Sequence, residues 1–287
     1  MKKTLSLALA LTMALSLAAC GNSGGSSSSA PADASGSSSQ ANSSTSSSSA
    51  NTESDLAYVQ NKGTLVVGIT EFEPMDYQNT DGEWIGFDAD LAKEFAESLD
   101  VTVEFQLIDW DNKVMELDGK TIDVVWNGMT LTEDVLAAME CSQPYLINQQ
   151  VVVVPADVAE DYQTEESLAD LNFAVEIGSA GCEVAQANGY SYTEVADQAT
   201  ALLEVASGTA DAAIIDSLMA GAMIGEGTSY ADMTSTVALT SEEYGVGFRK
   251  GSDLAAALNE FLSSKYADGS IQTLAETYGV QDALVQE

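Results

Sequence analysis

The chain contains no histidine and a single arginine, Arg249, in 287 residues. The first absence removes the commonest neutral-pH general base, the serine–histidine triads and most zinc arrangements. Basic residues of any kind are scarce: nine Lys and Arg face 45 Asp and Glu, for a formal net charge of −36. A surface of that sign cannot neutralise phosphates, so nucleic acid is excluded as a partner. The charge favours solubility and says little about the fold. Cysteine is also rare, with Cys20, Cys141 and Cys182 and no C-x-x-C or other ligand spacing, so neither a metal nor a cofactor is expected. Cys141 and Cys182 lie in separate sequence contexts and read as free, mostly buried small hydrophobes.

The one long apolar run, residues 5–19, follows Lys2 and Lys3 and ends in Leu17-Ala18-Ala19-Cys20. It is too short for a comfortable membrane span and has the layout of a signal peptide, residues 1–19. Leu-Ala-Ala before a cysteine resembles a bacterial lipobox. That resemblance implies cleavage before Cys20 and a diacylglycerol on its sulfur, hence an extracytoplasmic protein anchored to the cell membrane. Residues 21–54 are almost all Ser, Gly, Ala, Asn and Thr. They offer little to bury against the entropy of ordering, so 20–54 reads as a lipidated cysteine and a flexible leash.

The rest is organised around 122–134, Ile-Asp-Val-Val-Trp-Asn-Gly-Met-Thr-Leu-Thr-Glu-Asp. Ile122 to Trp126 is apolar and β-branched enough for a buried strand, which Asn127-Gly128 is expected to end. Thr130 or Thr132 can cap a following helix, whose first turn suits Glu133 and Asp134. A strand feeding a capped helix makes a ligand shelf at the carboxyl edge of an α/β sheet. Upstream, Thr64 to Ile69 is a strand, residues 76–87 form a hairpin, and Asp88 caps a helix to about Leu99. Downstream, Gln150 to Val154, Phe173 to Ile177 and Ala212 to Ile215 read as buried strands separated by helices. The alternation predicts α/β with mostly parallel sheets, and the plan appears once before and once after about residue 148, without a sequence repeat.

Six segments in order carry a family resemblance: Gly63-Thr64-Leu65-Val66-Val67-Gly68, Trp84 to Leu91, Asp123 to Thr132, Ser142-Gln143-Pro144-Tyr145, Asp211 to Asp216, and Gly245-Val246-Gly247-Phe248 with Lys250-Gly251-Ser252. Over about 60–280 the chain resembles the polar-amino-acid solute-binding proteins of ABC importers. The resemblance implies a two-lobed, type II periplasmic-binding-protein-like fold, two α/β sandwiches joined by a two-segment hinge. Lobe one would be 55–145 plus 245–287 and lobe two 149–240, closing on a small ligand by hinge motion. It implies a monomer that loads an amino acid or related amine and docks on the transmembrane subunits of a permease.

The resemblance also places the ligand contacts. Phe72 and Trp110 fall where the family keeps aromatic faces, which clamp a side chain and attract cations; Glu71 and Glu73 flank Phe72. Trp126, inside the strand, reads as core. Asn127, Gly128 and Thr130 match the shelf, with a backbone open to close approach, an amide and a hydroxyl. Across the cleft Ser179, Ala180 and Gly181 open a helix whose N-terminus favours an anion. Asp216 matches the carboxylate that receives an α-ammonium; a carboxylate ending a buried apolar strand is costly unless paired. One position departs from the pattern. Where the family usually has an arginine to grip the α-carboxylate, this chain has Val135, and Arg249 lies in another segment. Glu176 occupies a place that is sometimes basic. The expected cleft mouth is negative, which favours a zwitterion or cation over an anion.

Two other function classes are weighed against a transport subunit. A cyclohexadienyl-dehydratase-like enzyme on the same fold would need an acid and a base in the cleft, which Glu71, Glu73 and Asp216 can supply, but nothing else points to chemistry. A sensor domain would present ligand occupancy to a signalling partner; no transmembrane helix or kinase module follows Glu287, an expectation against a fused sensor.

Overall fold

The computed structural model describes residues 54–286; the expected signal peptide, the lipidated Cys20 and nearly all of the serine-rich leash lie outside the described residues. The chain opens on α1 (Asp55–Lys62), held by the Ser54 hydroxyl, which accepts from the Ala57 N–H, and closed by Gly63 at φ 78°, a left-handed conformation that glycine adopts without strain. Then come β1 (Thr64–Ile69), the short pair β2 (Tyr77–Gln78) and β3 (Trp84–Ile85), and α2 (Phe87–Ser98). Phe87, Leu91 and Phe95 form the buried face of α2, the spacing of an amphipathic helix. β4 (Thr102–Leu107), α3 (Lys113–Asp118), β5 (Val124–Thr130), α4 (Glu133–Ala138), β6 (Glu140–Cys141) and β7 (Leu146–Asn148) complete this half.

The second half runs β8 (Gln150–Pro155), β9 (Asn172–Glu176), α5 (Ala180–Asn188), β10 (Ser191–Val195), α6 (Gln198–Ser207), β11 (Ala212–Asp216), α7 (Ser217–Met223) and β12 (Met233–Ala238). The chain then returns through β13 (Glu242–Phe248) to α8 (Leu254–Asp268) and α9 (Ser270–Tyr278).

Two sheets result. The first has the order β4-β1-β5-β13-β6, with β7 also on β13; the second is β10-β9-β11-β8-β12. In each, three neighbouring strands are parallel: β4, β1 and β5 in one, β10, β9 and β11 in the other. The remaining pairings, through β13 and through β8, are antiparallel. The sheets are therefore mixed, not mostly parallel. The cause is the return path: β8 and β13 are the strands by which the chain enters one sheet and re-enters the other, and each arrives running against its neighbours. The two passages lie side by side. The Leu239 N–H donates to the Gln150 carbonyl at 2.8 Å, and the Gln150 N–H to the Thr240 hydroxyl at 2.8 Å.

Two local expectations are corrected. Strand β5 does not stop at Asn127-Gly128 but continues to Thr130, with a shift of register against β13 between Gly245 and Gly247. Gly128 absorbs the irregularity at φ 55°, where a Cβ would stand 2.6 Å from Phe72 Cε1 and 3.0 Å from Tyr244 Cε2. Asp88 does not cap α2. Gly86 occupies that place without a side-chain bond, and Asp88 turns inward to accept the Gly128 N–H at 2.6 Å and the Tyr145 hydroxyl at 2.8 Å. Burial pushes its carboxyl up to about 6.

Trp126 is core, fully buried with its ring edge-on to Phe95 at 6.2 Å. Arg249 is structural: its guanidinium donates to Asp55 at 2.9 Å and to the Leu117 and Ile122 carbonyls at 3.1 and 2.8 Å. Cys141 and Cys182 are both free, the first half-buried and the second buried.

Candidate functional site

A narrow cleft lies between the two halves, with about 30 Å³ of free volume, room for a water or two, so a ligand enters only if the halves part. Phe72, Trp110, Asn127, Gly128 and Thr130 line it from the first half, and Ser179, Ala180 and Asp216 from the second. Glu71 and Gly181 are not among the lining residues. Glu71 is exposed, its carboxyl raised by partial burial and by Asp197. Gly181 packs α5 onto the second sheet, where a Cβ would meet the Gln150 Oε1 and the Ile214 carbonyl at 2.9 Å each.

The floor is apolar. Phe72 packs edge-on to Tyr244 with ring centroids 6.4 Å apart, and Val135 occupies the lining beside Met129 and Trp110. The polar groups of the shelf are already satisfied within the protein. The Asn127 amide accepts from the Thr70 N–H and hydroxyl at 3.0 and 2.8 Å, and donates to the Thr70 carbonyl and Asp76 at 3.0 and 2.8 Å. The Gly128 N–H belongs to Asp88. The Thr130 hydroxyl donates to Glu242 at 2.8 Å. Sequence alone offers these groups to a ligand; the structure turns them inward, because a buried donor or acceptor left unpaired costs about 1–3 kcal/mol.

Two buried acids lie opposite the shelf. Asp216 sits at the N-cap position of α7, yet its side chain makes no capping bond. It accepts instead from the side-chain amides of Asn148, Gln198 and Gln150, the last at 2.7 Å. Glu242 Oε1 draws on two of the same donors, Asn148 and Gln150, at 2.8 Å each. Burial first, and the nearby Glu242 second, raise the Asp216 carboxyl to about 7. Glu176, also in the lining, is 3% exposed and its Oε1 has no hydrogen-bond partner. Burial and then Asp216 hold its carboxyl well above the ordinary range. Two buried acids in one cleft, neither ion-paired among the described residues, suit a cationic group of a ligand.

Sequence patterns single out neither Lys113 nor Gln198, and both line the cleft. Gln198 is a neutral residue opening a helix, with nothing to mark it. Lys113 carries a signal: it is one of few bases in the chain and stands three residues after Trp110. It brings one ammonium into the field of Glu176, Asp111 and Glu183, so the acidic lining is not free of positive charge. Among the described residues no cluster of His, Cys, Asp or Glu could hold a metal ion.

Comparison with known proteins gives the geometry a family. The L-cystine-binding protein TcyJ of Escherichia coli (strain K12) is 29% identical over 230 residues, 79% of this chain and 86% of the relative. A substrate-binding protein of an ABC uptake transporter from Streptococcus pneumoniae, solved with bound histidine, superposes with a TM-score of 0.74 at 28% identity, covering 82% of this chain and 99% of that one. The ancestral amino acid-binding protein AncCDT-1, a precursor of cyclohexadienyl dehydratase, superposes with a TM-score of 0.72 at 31% identity over 78% of this chain and 99% of that one. The model of the bacterial extracellular solute-binding proteins, family 3, matches residues 65–281, and the chain belongs to that family, with its type II periplasmic-binding fold.

Proposed function

We propose that the protein captures a zwitterionic or cationic amino acid, or a closely related amine, between its two halves and delivers it to an ABC permease. The observation that carries this is Asp216: a buried carboxylate at a strand end, free of capping duty, held by three amide donors and facing a cleft lined by Phe72 and Trp110. An ammonium placed there would replace the proton that burial now favours. The relatives support the class, since TcyJ is named for cystine and the pneumococcal protein holds histidine. Glu176 adds a second acid on the same side, which disfavours an anionic ligand. In this proposal the two halves are lobes one and two, hinged at Gln149 and at 239–241, and the cleft closes on the ligand.

We read the site as one for binding without turnover. AncCDT-1, the neighbour that points toward the dehydratase alternative, is itself described as an amino acid-binding protein. A thermal-shift panel of amino acids, their decarboxylated amines and polyamines tests the proposal. A true ligand at 100 times its dissociation constant stabilises by about 2.7 kcal/mol, which raises the melting temperature measurably. No shift with any member would contradict it. Lipid attachment at Cys20 and membrane anchoring are part of the same proposal: mass spectrometry of the membrane fraction should find the diacylglyceryl group on Cys20, and Cys20→Ala should release the protein.

A further inference from the structure

Lys113 is the cation whose place in the cleft the family pattern does not explain. It begins α3 on the first half, is 8% exposed and lines the cleft. Burying a lysine is costly unless its charge is used. Its ammonium donates to the Trp110 carbonyl at 3.2 Å and, across the cleft, to the Gly178 carbonyl at 2.9 Å. It also lies 4.9 Å from the centroid of the Trp110 ring. The ammonium has three donors. Burial lowers its proton affinity, while Glu176, Asp111 and Glu183 act in the opposite sense, yet none of these acids forms an ion pair with it within 4.0 Å among the described residues.

The ammonium lies among acids, but one more positive feature stands beside it, the start of α5. Gly178 precedes Ser179, the N-cap of α5, whose own hydroxyl is taken by the Cys182 N–H at 3.1 Å. The first-turn N–H groups of a nine-residue helix such as α5 have no acceptor inside the helix and carry the positive end of its dipole. The ammonium and the helix start thus converge on one part of the cleft, while Asp216 and the unpartnered Glu176 oxygen provide negative charge in the same lining. Val135 leaves the usual arginine position apolar.

We propose that Lys113 stands in for the absent arginine and receives the carboxylate of an α-amino acid ligand together with the α5 N-terminus, while Asp216 and Glu176 face the ammonium. Because its other bond reaches Gly178 on the opposite half, the same residue ties recognition of the carboxylate to closure of the cleft. Lys113 is then a specificity-determining residue that separates amino acids from amines. A lysine presents a point charge where arginine would present a planar fork, so recognition tolerates varied carboxylate orientations.

The proposal rests on the amino-acid reading of the cleft, and its test separates the two. The purified full-length chain, wild type and the variants Lys113→Met, Lys113→Gln and Lys113→Arg, is titrated calorimetrically at pH 7.5 with two matched pairs, L-arginine with agmatine and L-histidine with histamine. Ligand-free melting curves verify that each variant is folded. The expected result is a loss of roughly 10–100-fold for the amino acid in the Met and Gln variants, the scale of a charge-assisted bond, with the amine changed less than threefold and the amino acid partly rescued in Lys113→Arg. Equal losses for both members of a pair would make Lys113 a closure contact only and overturn the proposal, as would unchanged binding of the amino acid. If the wild type binds neither pair, the amino acid giving the largest thermal shift and its decarboxylated amine take their place; if no amino acid of the panel binds, the amino-acid reading falls and the proposal falls with it.

Discussion

Removing the Asp216 carboxylate leaves the amides of Asn148, Gln150 and Gln198 without their common acceptor and leaves the ligand's ammonium without its counter-charge. Asp216→Ala is expected to abolish measurable binding, and Asp216→Asn to weaken it about 10–100-fold, as a lost charged hydrogen bond does; titration calorimetry reads both. Gly128→Ala tests the floor. At φ 55° with a Cβ 2.6 Å from the Phe72 ring, it should destabilise by about 1–3 kcal/mol, seen as a lower denaturation midpoint in urea. At this scale the sequence is informative about residue types and poor about their partners. An Asp closing an apolar strand and an aromatic after a strand are visible as site candidates. That the Asn127 amide is consumed by Thr70 and Asp76, and the Gly128 N–H by Asp88, depends on contacts across 40 or more positions, which no local pattern encodes. Lys113 is visible as a rare base, but only the fold brings it against Gly178.

Among the elements, β5 and α2 are fastened through one buried carboxylate. Asp88, on α2, holds the Gly128 N–H of β5 and the Tyr145 hydroxyl. Asp88→Ala should therefore cost about 1–3 kcal/mol in unfolding free energy, and should lower ligand affinity through the displaced shelf even though the residue touches no ligand. Chemical denaturation and calorimetry on the same variant measure the two effects. Most elements are legible from their own residues: α2 from Leu91 and Phe95 on one face, β8 from four consecutive valines, α5 from Ser179. The extension of β5 through Asn127 and Gly128 is not. Asparagine and glycine locally favour a turn, and only pairing with β13 keeps them in the strand. The antiparallel arrival of β8 and β13 is hidden for the same reason, since strand direction is set by the chain's route between sheets.

For the whole molecule the buried acids impose a pH dependence. Asp216 at about 7 and Asp88 at about 6, against an ordinary 3.8, bind their protons more tightly folded than unfolded. Their contribution to ligand-free stability is therefore complete below about pH 4 and is lost as pH rises through 6 and 7. Melting temperatures of the ligand-free protein should fall between pH 5 and pH 8. A ligand with an ammonium works in the opposite sense: it binds the ionised Asp216, so its affinity should rise over the same interval with release of a proton, read from calorimetry in buffers of different ionisation enthalpy. The two-sheet architecture follows from the alternation of strands and helices before and after residue 148, whereas the charge balance of the cleft emerges only when both halves are assembled. The most direct test of the central claim is calorimetric titration of wild type and Asp216→Ala with the ligand that gives the largest thermal shift. Saturable one-to-one binding to the wild type that disappears in the variant is predicted; binding unchanged in Asp216→Ala would contradict the cleft as the capture site.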